Sequence, residues 1–196
     1  MNENPASNAP NPAMVFDTLN AYQRTGALRA AIDLRIFSII HKNALSAERI
    51  AQECQASRRG IRMLCDYLTV HGFLSKSQAE YSLTPTSSVF LDEASPQYMG
   101  AMAKFVASDE MIDIFRGVTG AVQKGGTLLP DGGSTKLNYE PWIEFAESMA
   151  PMMMPSAMFI AGLVSERFGN KPIRVFDIAA SHGQFGLSIA RKLMDS

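Results

Sequence analysis

Asp177, Ala179, Ser181 and Gly183 fall within one short stretch, Asp-Ile-Ala-Ala-Ser-His-Gly, near the carboxyl end of the chain. Their types suit close contact with a ligand. Ala179, Ala180, Ser181 and Gly183 carry little or no side chain, so a bound group can approach the backbone. Asp177 offers a carboxylate that accepts hydrogen bonds from an amino group or from hydroxyls. Free N–H groups at the start of a following helix would favour a negatively charged group. No metal chemistry is expected: His41, His71 and His182 lack ligand spacing, and Cys54 and Cys65 read as buried reduced thiols.

These residues need elements to hold them. Val175, Phe176 and Ile178 form a short apolar run behind Lys171-Pro172, which predicts a buried strand. Leu187, Ile189, Ala190, Leu193 and Met194 recur at helical spacing, with Arg191 and Lys192 between them. Strand, small-residue loop and helix open a doubly wound α/β domain, whose ligands bind beyond the carboxyl end of the strand. Ser181-x-Gly183-x-x-Gly186 also comes within one residue of the dinucleotide fingerprint. A dinucleotide enzyme therefore stays open at this point. Against it stands the long helical lead-in, since such folds commonly open with the strand.

Composition narrows the classes. The chain has 196 residues, 46% of them hydrophobic, and a formal net charge of −1. That apolar share is ample for a globular core, and the charge gives no global attraction to nucleic acid or anionic lipid. No signal-peptide pattern and no uncharged membrane-spanning stretch are read from the sequence, so a cytoplasmic protein without membrane contact is expected. A doubly wound domain needs on the order of 100 residues, and few follow Gly186 before Ser196. Either the α/β part is only the beginning of such a domain, or the run at Val175 is not its strand.

Residues 1–12 are polar and Pro-rich, which predicts a disordered lead-in. Helices are predicted over 13–31 and 34–40, and the nearly continuous apolar run from Arg29 to Phe37 wants burial on more than one side, as by a second subunit. Ser46 and Ser57 read as N-caps of two further helices, with Ile50, Ala51, Ile61, Leu64, Cys65 and Leu68 on their apolar faces. Gly72 ends the second, and strands Phe73-Leu74 and Tyr81–Leu83 follow. Helix, turn, helix, hairpin is the winged-helix order. Arg58, Arg59 and Arg62 stand where a DNA reader places its contacts, so a DNA-binding regulator is a second alternative. Glu48, Glu53 and Asp66 dilute that charge. Helices are then predicted over 87–91, 98–107 and 110–123, with a Gly-rich loop over 124–138. Pro141 suits a first helical turn, and Pro151 and Pro155 are expected to interrupt that helix before a second one, 156–168. Five of the twelve methionines lie between Met149 and Met158, suited to lining a pocket or filling a helix junction.

The order of these parts resembles the S-adenosylmethionine-dependent O-methyltransferases of the caffeate, hydroxyindole and polyketide-tailoring type. A helical start and a winged helix ending in Tyr-Ser-Leu-Thr-Pro come first. Further helices, a Gly-rich loop, the helix with Phe145-x-x-x-Met149, and the motif at Asp177 follow. The glycine positions of that motif are Ala179, Ser181 and Gly183 here. The resemblance implies a mainly α fold: a winged-helix-like dimerisation domain over 13–123, linking helices over 139–170, and the start of a Rossmann-like domain over 171–196. It implies S-adenosylmethionine as cofactor, held by Asp177, Ala179, Ser181, Gly183 and Met149. Phe145, Met149, Met153 and Trp142 are implied as walls of the site for a small hydroxyl-bearing methyl acceptor. It implies a homodimer through the N-terminal helices and no nucleic acid. The general base and the ribose-binding acid of the family are expected downstream of Ser196, so this chain alone is expected to be inactive.

Overall fold

The computed structural model describes residues 10–130, 133, 141–169, 171–178 and 180–194. The chain is mainly helical with one small sheet, and it divides into two compact units, Met1–Thr84 and Pro85–Ser196.

The first unit contains α1 (Ala13–Leu19), α2 (Ala21–Asp33), α3 (Ile36–Ile40), β1 (Leu45–Ser46), α4 (Ala47–Glu53), α5 (Arg58–Val70), β2 (Leu74–Ser77) and β3 (Glu80–Leu83). The single helix expected over 13–31 is broken at Asn20, which caps both neighbours. The predicted caps are real. Ser46 Oγ accepts from the Arg49 N–H and Ser57 Oγ from the Gly60 N–H, each satisfying a donor that a helix start leaves free. Gly72, at φ 78, turns the chain out of α5 in the left-handed region that glycine enters at least cost. β2 and β3 pair antiparallel with Leu74 opposite Leu83, and Gln78 turns between them at φ 56. The sequence reading missed β1, which pairs with the other edge of β3, Leu45 opposite Tyr81. A two-residue strand has no periodicity to read.

The core of this unit joins α3, α4, α5 and the sheet. Ile36, Phe37, Ile40, Ile50, Ile61, Cys65, Leu68, Leu74 and Tyr81 are buried. α5 shows why: Ile61, Cys65 and Leu68 recur at helical spacing, so one face is apolar while Arg59, Arg62 and Met63 face outward. α1 is the exception. None of its residues is buried, and Met14, Val15, Phe16 and Leu19 all lie more than half exposed.

The second unit contains α6 (Pro85–Phe90), a 3₁₀ turn (Gly100–Met102), α7 (Ala103–Val106), α8 (Asp109–Arg116), α9 (Val118–Lys124), α10 (Pro141–Phe168) and α11 (Gln184–Met194). Three expectations are corrected here. The helix predicted over 110–123 is two helices that part at Gly117. Pro151 and Pro155 do not interrupt their helix: α10 runs unbroken through both for 28 residues. Each proline removes one ladder hydrogen bond, and packing of α10 on α11 and α7 holds the axis in place of those bonds. A stretch without charge does exist, 148–165, and Trp142–Phe168 is long and apolar enough, by length and composition, to cross a membrane.

The run 172–177 is not a buried strand. It has no ladder partner among the described residues, and Val175, Phe176 and Ile178 are 47%, 89% and 78% exposed. A strand becomes one by pairing and is buried by a layer laid over it, and no described segment does either here. Residues 1–9 of the expected lead-in, and 131, 132 and 134–140 in and after the Gly-rich loop, lie outside the described residues.

Candidate functional site

The site is built from the small-residue loop and the amino-terminal half of α10. Ser181 and Gly183 both take left-handed backbone conformations, φ 50 and φ 69, so the chain reverses within three residues before α11. The Gly183 N–H closes the turn on the Ala180 carbonyl at 2.7 Å. Asp177 then reaches across the loop, and its Oδ2 accepts from the Gly186 N–H at 3.0 Å. His182 Nδ1 accepts from the Gln184 N–H at 3.2 Å, which leaves the proton of the neutral ring on Nε2. Gln184 Nε2 donates to the Met154 sulfur at 2.8 Å and ties the loop to α10.

These bonds correct one inference from the sequence. The start of α11 was expected to present free N–H groups to an anion. Two of them, on Gln184 and Gly186, are taken by His182 and Asp177 of the same chain.

A cavity of about 780 Å³ lies between the loop and α10, with Trp142, Phe145 and Glu147 on one side and Ala180, Ser181 and His182 on the other. Its aromatic wall is preorganised. Trp142 and Phe145 meet edge to face with centroids 5.3 Å apart, and Phe105 of α7 stands edge-on to Phe145 at 5.2 Å. Such geometry holds each ring by the electrostatic complement of edge and face.

Of the residues singled out from sequence, the cavity brings together Trp142, Phe145 and Ser181. Asp177 is engaged with the backbone of α11. Gly183 shapes the loop by its φ, and Ala179 lies outside the described residues. Met149 and Met153 are half-buried on α10 and do not line this cavity. Met152, Met154 and Met158 instead line a second cavity of about 840 Å³ with Phe90 and Met99. The sequence reading missed Phe105 and Glu147, and it named Gly186 only as part of the dinucleotide fingerprint. Phe105 has no local signal, because its partner lies 40 positions on.

Two of the three arginines on the would-be DNA face of α5 are paired locally. Arg58 pairs with Glu48 at 3.1 Å, and Arg62 and Lys76 both pair with Asp66, at 3.2 and 2.5 Å. Tyr81 Oη, inside the core of that unit, also donates to Asp66 at 2.7 Å. Hydrogen bonds from Lys76 first, then Tyr81, hold the Asp66 carboxyl below the usual carboxylate range. Among the described residues no cluster of His, Cys, Asp and Glu is suited to a metal ion.

Part of the chain matches a known family, and the chain is similar to several solved structures. Residues 16–93 match the O-methyltransferase dimerisation domain. The matched residues make up less than half of the chain. It is also similar to a Nostoc punctiforme protein provisionally described as an O-methyltransferase. Identity is 42% and TM-score 0.88, over 96% of this chain and 56% of that one. The human N-acetylserotonin methyltransferase, solved with S-adenosylmethionine, shares the fold at TM-score 0.71 and 18% identity, over 96% of this chain and 57% of that one. The tetracenomycin polyketide synthesis 8-O-methyltransferase of Streptomyces glaucescens is 23% identical over 130 residues, which is 66% of this chain and 38% of that protein. The chain thus spans little more than half the length of these solved structures, and less of the curated relative. The dimerisation domain begins in the exposed α1 and ends just after α6.

Proposed function

We propose that this chain is the dimerisation and cofactor-loop part of an S-adenosylmethionine-dependent O-methyltransferase acting on a small hydroxyl-bearing acceptor. The observation that carries the reading is the cavity that joins the motif loop to the aromatic face of α10. Its volume lies within the range of small-molecule sites. The cofactor fits the residues present. A sulfonium is a cation, the kind of group that aromatic side chains such as Trp142 and Phe145 attract. Glu147 adds a carboxylate at the edge of the same cavity. When bound, the cofactor supplies an electrophilic methyl group. The chain's own residues hold it against the loop backbone at Ala180 and Ser181, orient it by the aromatic wall, and exclude water from that face. Such positioning is the larger part of what a protein contributes to an in-line transfer. From the resemblance, Met149 is kept in this reading as a cofactor and acceptor contact, Met153 as an acceptor contact, and Ala179 as a further cofactor contact.

The same geometry disfavours a dinucleotide enzyme. A pyrophosphate needs open N–H groups at the helix start, and here Asp177 and His182 already accept from two of them. A DNA-binding regulator is disfavoured by the carboxylates that pair with Arg58, Arg62 and Lys76. We read α4, α5, β2 and β3 as a winged helix used for packing, within a dimerisation region that takes in 13–123. The segment 171–196 is read as the first part of a Rossmann-like domain.

The chain has one tryptophan, Trp142, and it lines the cavity. Titration with S-adenosylhomocysteine is expected to change its emission saturably, while NAD leaves it unchanged. A response to NAD alone would replace this reading with the dinucleotide one, and no response to either would remove the cavity as a cofactor site.

A further inference from the structure

Gly186 lies inside α11 and has no left-handed backbone to explain it. Alanine would be the better residue for a helix interior. What surrounds Gly186 gives the reason for glycine. A Cβ built there would stand 3.2 Å from Asp177 Oδ2 and 3.8 Å from Asp177 Cβ. That oxygen is the one accepting from the Gly186 N–H at 3.0 Å. A side chain at 186 would therefore crowd the atom that the backbone at 186 binds, which would have to give by a few tenths of an ångström.

We propose that Gly186 and Asp177 form one positioning pair: the missing side chain at 186 lets the Asp177 carboxylate close the first turn of α11, which fixes the loop lining the cavity. Closure matters because the loop is conformationally expensive. Ser181 is a non-glycine residue at φ 50, and Gly183 follows at φ 69. Left-handed backbone at a residue with a side chain persists only where its surroundings impose it. The Asp177 bridge spans both residues from outside, and a carboxylate on a backbone N–H at a helix start is a charge-assisted bond. In this account Asp177 acts on the cofactor through the loop. The link to the cofactor rests on the reading given under Proposed function; the pairing of Gly186 with Asp177 does not.

The test compares the wild-type chain with Gly186→Ala, Asp177→Ala, the double variant and Asp177→Asn. Two quantities are read: exchange of the residue-186 amide proton by NMR, and S-adenosylhomocysteine affinity from Trp142 emission. Gly186→Ala is expected to speed that exchange and weaken the affinity, each on the order of tenfold, the scale of one charge-assisted hydrogen bond, although helix propensity improves. Asp177→Ala should do the same. The double variant should be no worse than Asp177→Ala, because the added Cβ then meets no carboxylate. Asp177→Asn keeps an acceptor oxygen and should rescue part of the protection, and it decides the matter without a steric change if Gly186→Ala misfolds. Unchanged or slower exchange in Gly186→Ala, or additive effects in the double variant, would overturn the pair. Absence of S-adenosylhomocysteine binding to wild type would strike the cofactor reading alone, since amide exchange still decides the pair.

Discussion

Asp66 collects three donors on one carboxylate: Lys76, Tyr81 and Arg62. The carboxylate links α5 to both strands of the hairpin, so its charge state bears on the packing of the first unit. Its folded pKa is depressed, chiefly by the Lys76 and Tyr81 hydrogen bonds. The stability it contributes is therefore complete above its unfolded value, about 3.9, and is lost as pH falls through the folded value. Thermal melts from pH 2 to 6 should show a steeper acid limb in wild type than in Asp66→Asn. Parallel curves would show that the cluster adds nothing. Cys65, in the same core, is pushed up to about 12 by burial first and then by Cys54 and Asp66. It is a neutral, inert thiol at pH 8, since only the thiolate is nucleophilic. Iodoacetamide should spare Cys65 in the folded chain and modify it in denaturant, as mass mapping can read. Rapid native labelling would contradict its place in the core.

At the scale of elements, α5 and the motif loop fail in different ways. Leu68 of α5 is 1% exposed and packs in the centre of the first unit. Leu68→Ala should cost about 2–5 kcal/mol in urea unfolding, the range for emptying a buried leucine site. A loss well under 1 kcal/mol would mean that the core tolerates the cavity. Gly183 sits in the motif loop, where the nearest atom to a new Cβ is Leu187 Cδ1 at 3.9 Å, an ordinary contact. The obstacle to substitution is its φ of 69. A valine held there is strained by about 1–2 kcal/mol, and more for its branching at Cβ. Gly183→Val should keep the circular-dichroism spectrum of the wild type yet lose S-adenosylmethionine binding by calorimetry. Wild-type affinity in that variant would remove Gly183 from the site.

For the whole molecule, the exposed apolar surface of α1 is the main consequence of the fold. Phe16 and Leu19 are 59% and 67% exposed, and Tyr22, just beyond, is 70% exposed. Contiguous apolar surface of this kind marks an interaction site. The dimerisation-domain match begins at Phe16, and a two-fold pair with isologous contacts would cover the same patch on both copies. The chain is expected to be a dimer by light scattering, and Phe16→Glu with Leu19→Glu to be a monomer with its first unit still folded. A wild-type monomer would end the dimer proposal.

Local chemistry in the sequence determined a good deal of this. Ser46 and Ser57 named their helices because an N-cap needs one side chain and one nearby N–H. The apolar face of α5 was legible because burial of a helix imposes a period on its residues. The motif loop was legible as a tight turn, since small residues and a glycine suit the left-handed backbone found at Ser181 and Gly183. Tertiary structure decided the rest. Pro151 and Pro155 read as breaks, yet packing along α10 outweighs two missing ladder bonds. Val175, Phe176 and Ile178 read as a buried strand, yet pairing and cover come from other segments, and no period within the run can supply them. Phe105 met Phe145, and Asp177 met the Gly186 N–H, across separations that no local pattern records. Asp177, a ligand candidate from its sequence position, also accepts from the backbone of α11 through one of its two oxygens. Which of a carboxylate's possible partners it takes is a question of distance in space, and only the folded chain sets that distance.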